Sequence, residues 1–266
     1  MDVRFETPDI DRLRREHMLV DMHFHTRYSH DSSTQIDTIL RKARELQVQL
    51  AITDHNTVQG ILLAAKAAPG IVRPGIEICT KENREVISYF YTVEELEAFF
   101  RRVVQPHVKR KTSLQTISTG IRMDELLDEL SRENCVVALP HPFAMRPRRS
   151  FSFFDAPKRR HLLRHVHAVE VLNASMIHRH NLASLGWAVK HRKAFVGGTD
   201  GHTIQPLGSV FTCSTAQTWE EFLDDVKAKR AFVVGSEHKL SRKFFNATRI
   251  LREKTRILKN FRQNRK

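Results

Sequence analysis

Nine short runs rich in β-branched residues recur along the chain, and stretches with helical spacing separate most of them. The runs are Leu19–Phe24, Gln49–Thr53, Ile71–Ile78, Glu85–Tyr91, Cys135–Leu139, Ala168–Leu172, Phe195–Gly198, Ser209–Cys213 and Phe232–Val234. Repeated strand-then-helix units predict a parallel sheet covered by helices, either open or closed into a barrel. Thr92-Val-Glu-Glu95 and Thr218-Trp-Glu-Glu221 fit the capping box, in which the Thr hydroxyl and the Glu carboxylate satisfy end-of-helix N–H groups reciprocally. Ile36, Ile39, Leu40 and Ala43 share a helical face, with Ser33 or Thr34 as the expected cap. Gln105–Arg122 breaks the rhythm and reads as an inserted loop or short arm.

At 266 residues with 41% apolar content, the chain can bury one large α/β core, and a barrel of this length is usually a single domain. It shows no stretch approaching the ~18–20 apolar residues of a membrane span, and its charged start is unlike a signal peptide. Cys79, Cys135 and Cys213 are far apart and read as buried thiols, which suits a reducing, cytoplasmic setting. The net charge of +14 is unevenly spread: from Lys239 to Lys266, eleven Lys/Arg face only Glu253. The expected division is therefore a body, 1–238, and a basic tail, 239–266. Within the tail, Phe244, Leu251 and Leu258 recur at seven, joined by Ala247, Ile250, Ile257 and Phe261, which predicts an amphipathic helix. Its basic face suits a polyanionic partner or an anionic surface. A second basic concentration holds Arg146, Arg148, Arg149, Lys158, Arg159, Arg160 and Arg164, whereas Arg101–Lys111 reads as a solvated face.

The chemistry-bearing residues fall at the carboxyl ends of the apolar runs. Asp21-Met-His-Phe-His25 closes the first, Thr53-Asp-His-Asn56 the second, and Pro74-Gly-Ile-Glu77 the third. Pro140-His-Pro142, Asn173 and Gly197-Gly-Thr-Asp-Gly-His202 continue the series. In parallel α/β folds that end is where loops build the site. His23 and His25, at i and i+2 of a strand, point to one face. A hydrogen-bonded pair on a sheet edge would explain those two alone. Several such clusters at one end would be mutually repelling carboxylates and unpaired imidazoles, unless they share divalent ions.

The ordered set D-M-H-F-H-T-x-Y-S, T-D-H-N, P-G-I-E-I, L-P-H-P and G-T-D-G-H resembles the PHP (polymerase and histidinol phosphatase) family, and within it the stand-alone metal-dependent phosphoesterases. The resemblance runs from about Val20 to Thr212. It implies a distorted seven-stranded (β/α) barrel, two or three divalent ions (Mn, Fe or Zn), and hydrolysis of phosphate esters by a metal-activated water. Carried over by position, it implies that His23 and His25 hold one ion and that Glu77 bridges two. His55 and His141 would bind the others, with Asp200 and His202 closing the first site. Family members place an Asp or His five or six residues after the second histidine; here His30 and Asp31 fill both places, and Asp31 is preferred. Where relatives usually carry a histidine after the bridging glutamate, this chain has Glu85, which can ligate and favours a harder ion such as Mn²⁺. Glu77 and Asp200 head the expected catalytic set.

Arg146 and Arg148 follow His141 closely and can bind a substrate phosphate bidentately. Basic clusters beside such a site suggest a nucleotide, a nucleic-acid end or a small phosphorylated metabolite as substrate. Two alternatives are weighed: an amidohydrolase-like metal hydrolase, and a non-catalytic metal-stabilised module that binds a polyanionic partner. The first is disfavoured because no lysine stands at a strand end, the second because a silent module has no need of open metal positions.

Overall fold

The computed structural model describes residues 2–108, 118–144 and 150–237. Among them are ten strands: β1 (Val3–Phe5), β2 (Met18–Phe24), β3 (Gln49–Ile52), β4 (Val72–Cys79), β5 (Glu85–Phe90), β6 (Cys135–Leu139), β7 (Ala168–Asn173), β8 (Ala194–Gly198), β9 (Val210–Ser214) and β10 (Phe232–Gly235). Nine correspond to the expected runs. The tenth, β1, is three residues long, too short to display a period of two.

The strand order is β1-β10-β9-β2-β3-β4-β5-β6-β7-β8. Pairs β2–β3, β3–β4, β6–β7 and β7–β8 are parallel, as βα units require. The uniformly parallel sheet expected from the sequence is corrected at two places. β5 runs antiparallel to β4 and β6, because the connection 80–84 is too short for a crossover. β9 runs antiparallel to β2 and β10. The sheet curls until the end of β8 meets the end of β2 through a parallel bridge between Phe24 and Gly201. There the His25 N–H donates to Gly201 O (3.1 Å) and the Asp200 N–H donates to His23 O (2.8 Å). β2 to β8 thus make the distorted seven-stranded barrel, and β9, β10 and β1 extend its sheet from the first residues of β2. Gly198 is required at the seam: a Cβ there would lie 2.5 Å from the His23 backbone nitrogen.

Period two sorts each strand into two faces. Ala51, Ile87, Tyr89, Val136, Ala138, Ala168, Ala194 and Val196 join Val20 and Met22 in one buried cluster, against Trp219, Phe222, Leu223 and Val226 of the helix Trp219–Lys227. The same face carries Glu77 (paired with Ile87), Glu85 and Glu170 at two-residue steps toward one end. The opposite face, including Leu50, Ile52, Ile76, Ile78, Val137, Leu139, Val169 and Phe195, packs on Ile39, Leu40, Ile61, Leu96, Phe99, Leu126, Leu127 and Trp187 from the surrounding helices. Each such fully buried side chain contributes about 1.5–3 kcal/mol relative to exposure. Along β2 the register against β3 shifts between Asp21 and Phe24. This irregularity lets Met22 join the apolar cluster while His23, the next residue, reaches the polar one.

Both capping boxes form, at Thr92/Glu95 and Thr218/Glu221. The helix Ile36–Leu46 differs from expectation. Its cap is Gln35, one residue later than expected and with no side-chain bond, and the Thr34 hydroxyl donates to His202 O (3.1 Å). Arg101 and Arg102 pair with Glu97, Glu129 and Glu133 on an exposed face. All three cysteines are buried, and none is in a disulfide among the described residues. Among the described residues no helix is long and apolar enough to cross a membrane. The expected tail helix and most of the expected arm (109–117) lie outside the described residues.

Candidate metal centre

The curl of the sheet brings residues from six strands to one point. His23 Nε2 and His25 Nε2 lie 3.0 Å apart, and both face Glu77 Oε2 (3.3 and 3.5 Å) and Asp200 Oδ1 (3.5 and 3.3 Å). Ligands at about 2.0–2.2 Å from a tetrahedral ion stand about 3.3–3.6 Å from each other. Five of the six edges of such a cage are therefore present, with one slightly short. His23 and His25 are fully buried, as is Glu77.

Beside this cage, Asp31 Oδ2 lies 3.0 Å from His202 Nε2 and 3.3 Å from His55 Nε2. His30 is set further back: its Nε2 is 3.8 Å from Asp31 Oδ2, and its ring packs against that of His55 with centroids 5.0 Å apart. On the far side, His141 Nε2 is 3.4 Å from Glu77 Oε1 and 3.8 Å from Glu85 Oε2, and His55 Nδ1 is 3.1 Å from Glu77 Oε2. Glu77 thus offers one oxygen to each side. Glu85 reaches the cluster from the first position of its strand because β5 is antiparallel. His202 lies with Asp31 and His55, its Nδ1 3.5 Å from Asp200 Oδ1. Arg146 and Arg148 lie outside the described residues.

The donors suit a divalent ion. Both ring nitrogens of His55, Nδ1 of His25 and of His141, and Oε1 of Glu77 are buried without a hydrogen-bond partner, which is costly unless another ligand is held there. Burial works against charge at Glu77, Asp31 and Asp200, yet neighbouring histidines hold all three carboxyls well below the usual range. Burial, helped by the neighbouring histidine charges, pushes His25 down to about 3. At the others the surrounding carboxylates outweigh burial and raise His23, His55 (to about 10), His141 (to about 8) and His202 (to about 9), so a bound ion would take the place of their protons. Ionised carboxylate and neutral imidazole are the forms that bind metal.

Two further carboxylates shape the centre: Asp54, and Glu170, which with His23 and His141 forms a buried group able to hold an ion. Asp54, next to His55, accepts the N–H and the hydroxyl of Thr26 (both 2.6 Å), and so ties the start of the His25–Thr34 loop to the end of β3. Glu170, in the middle of β7, accepts from His23 and from the backbone of His141. Glu170 is not among the candidates read from the sequence; its signal there is a charged residue inside the apolar run Ala168–Leu172. His167, just before β7, is half-buried and its Nδ1 accepts from the Val137 N–H (3.0 Å). Several site residues sit in the left-handed region: Asn56 (φ 54°), His141 (φ 27°) and Asp200 (φ 52°). Such backbone strain persists only where surrounding bonds hold it.

Residues 21–98 match the family model of the PHP domain. An uncharacterized protein of Methanocaldococcus jannaschii is 28% identical over 195 residues, covering 73% of this chain and 69% of that protein. The fold is similar to that of a two-domain protein from Bacteroides vulgatus containing a predicted PHP-like metal-dependent phosphoesterase (TM-score 0.60, 13% identity, 87% of this chain and 68% of that one). It is also similar to a lesion-specific endonuclease from Pyrococcus furiosus (TM-score 0.63, 15% identity, 80% of this chain and 56% of that one). In the order of its motifs, in its matched segment and in its fold, this chain resembles the PHP family.

Proposed function

We propose that this chain is a divalent-metal-dependent phosphoesterase acting on a nucleic acid or nucleotide. The observation that carries the reading is the convergence of His23, His25, Glu77 and Asp200 at the edge lengths of a tetrahedral cage. These four would hold one ion, and Asp31, His55 and His202 a second. His141, Glu85 and the other oxygen of Glu77 would hold a third where three are bound. Such ions act as Lewis acids on a phosphoryl oxygen and lower the pKa of water from ~15.7 toward ~7. Manganese, iron and zinc all suit imidazole with carboxylate, and a glutamate at position 85 favours the harder Mn²⁺.

The chain's own residues supply the rest. The apolar cluster that includes Ile87 and Tyr89 adjoins the centre along β5, Ile87 pairing with Glu77 and lying two residues from Glu85. Arg146 and Arg148 are the candidates for clamping a substrate phosphate. The nucleic-acid class is supported by the likeness in fold to an endonuclease and by the basic excess of the sequence. The three buried thiols, outside any disulfide among the described residues, suit a reducing compartment.

The test is a panel of bis(p-nitrophenyl) phosphate, nucleotides, short RNA, short DNA and a chromogenic p-nitroanilide amide, assayed with EDTA and with Mn²⁺ or Zn²⁺ added back. Metal-dependent turnover of a phosphodiester is the expected result. Turnover of an amide but no phosphoester would favour the amidohydrolase alternative, and no turnover of any kind the non-catalytic one.

A further inference from the structure

β7 reaches the centre, yet the proposed ligand set takes nothing from it. What it places there is Glu170, a carboxylate in contact with two of the proposed ligand residues at once. Its Oε1 lies 3.0 Å from His23 Nδ1, and its Oε2 accepts the backbone N–H of His141 at 2.7 Å. The Asn173 side-chain N–H donates to the same Oε2 at 2.9 Å. The pairing of β7 with β8 shifts register between Glu170 and Leu172, an irregularity that falls where the strand's side chains must be re-aimed.

We infer that Glu170 is a positioning residue that selects the metal-binding tautomer of His23 and holds the left-handed backbone of His141. The inference rests on the metal-centre reading above. A carboxylate only accepts hydrogen bonds, so the His23 nitrogen facing Oε1 carries the proton. The other nitrogen, Nε2, then presents its lone pair to the point shared by His25, Glu77 and Asp200. On its other oxygen the same carboxylate accepts from a residue whose φ of 27° needs such restraint. Every contact of Glu170 named here is consistent with a donor facing an acceptor. A glutamine in its place has one oxygen and one NH₂. It must turn the NH₂ either to His23, forcing the proton onto Nε2, or to the His141 N–H, releasing that backbone. Asn173 and Ser175 extend the pattern, donating to Asp200 Oδ2 at 3.4 and 2.9 Å, so that Oδ1 faces the histidines.

The test compares Zn²⁺ and Mn²⁺ binding by calorimetry in the wild-type full chain and in Glu170→Gln. Circular dichroism confirms that the variant is folded. A 10- to 100-fold loss of affinity is expected, the range typical of a lost partner behind a metal ligand. Affinity within twofold of wild type overturns the inference. A wild-type chain that binds neither ion overturns the metal-centre reading, and this inference with it. Should the variant fail to fold, ¹⁵N spectra of histidine-labelled, Zn²⁺-loaded wild type decide the question. A proton on Nδ1 of His23 supports the inference, and a proton on Nε2 refutes it.

Discussion

The carboxylate of Asp21 accepts both the backbone N–H and the hydroxyl of Thr199, at 2.9 and 2.5 Å. Asp21 belongs to β2 and Thr199 follows β8, so this pair reinforces the seam that the Phe24–Gly201 bridge closes. Both residues are fully buried, and the seam sets the distance between His23 and Asp200. Burial pushes the Asp21 carboxyl up to about 7, against the pull of the Thr199 hydroxyl and N–H. Thr199→Val keeps the shape and removes one donor from a buried acceptor. The expected loss is about 1–3 kcal/mol of stability. Denaturant unfolding checks it, and an unchanged midpoint would show that the Thr199 hydroxyl adds nothing to the seam.

Glu77 touches every part of the centre, with contacts to His23, His25, His55 and His141 between 3.1 and 3.5 Å. Glu77→Gln should lower phosphoesterase activity at least ~100-fold and reduce bound metal, since an amide offers one neutral oxygen where two charged ones are used. Elemental analysis together with hydrolysis of bis(p-nitrophenyl) phosphate measures both. Wild-type turnover would remove Glu77 from the mechanism.

His30 and Asp31 compete for one role in the sequence, and their placements differ. The Asp31 carboxylate is 3.0 Å from His202 Nε2. Asp31→Ala should therefore weaken metal binding by about tenfold or more, and His30→Ala by clearly less. The reverse ranking in a calorimetric titration would reassign the ligand.

His167 supplies a pH dependence away from the centre. Burial, helped by the Lys227 and Lys193 charges, pushes its pKa down to about 4. An unfolded histidine titrates near ~6.5. Below that pH the unfolded chain takes up a proton that the folded chain refuses, so this contribution is full above pH ~6.5 and is lost as the pH falls toward 4. With allowance for partial exposure, the expected loss between pH 7 and pH 5 is about 1 kcal/mol. His167→Asn, whose Oδ1 can accept from Val137, should flatten that slope. A slope identical to wild type in urea titrations at the two pH values would exclude His167 as its source.

The basic tail is expected to bind polyanions without taking part in hydrolysis. Deleting Lys254–Lys266 should leave hydrolysis of bis(p-nitrophenyl) phosphate unchanged and lower the salt concentration at which the protein leaves heparin, because fewer counterions are released on binding. Elution at the same salt would make the tail a brace for the body.

Much of this protein was settled locally. The runs that became β2 to β10, both capping boxes and the buried face of Ile39, Leu40 and Ala43 follow from side-chain spacing, because period and burial are properties of a few consecutive residues. The grouping of His23, His25, Glu77, His141 and Asp200 was legible for a related reason: parallel strands carry their loops at one end, so polar residues ending successive strands must meet. What the tertiary structure decided depends on distance through space. The direction of β5 is set by its short connection and brings Glu85 to the centre from a strand's start. The split of face between Met22 and His23 comes from a register shift that only pairing with β3 creates. Thr34 lies one residue before the cap and its hydroxyl donates to the carbonyl of His202, a partner remote in sequence. Glu170 shows the limit most plainly, since a glutamate within a strand has a role only once His23 and the backbone of His141 are brought against it.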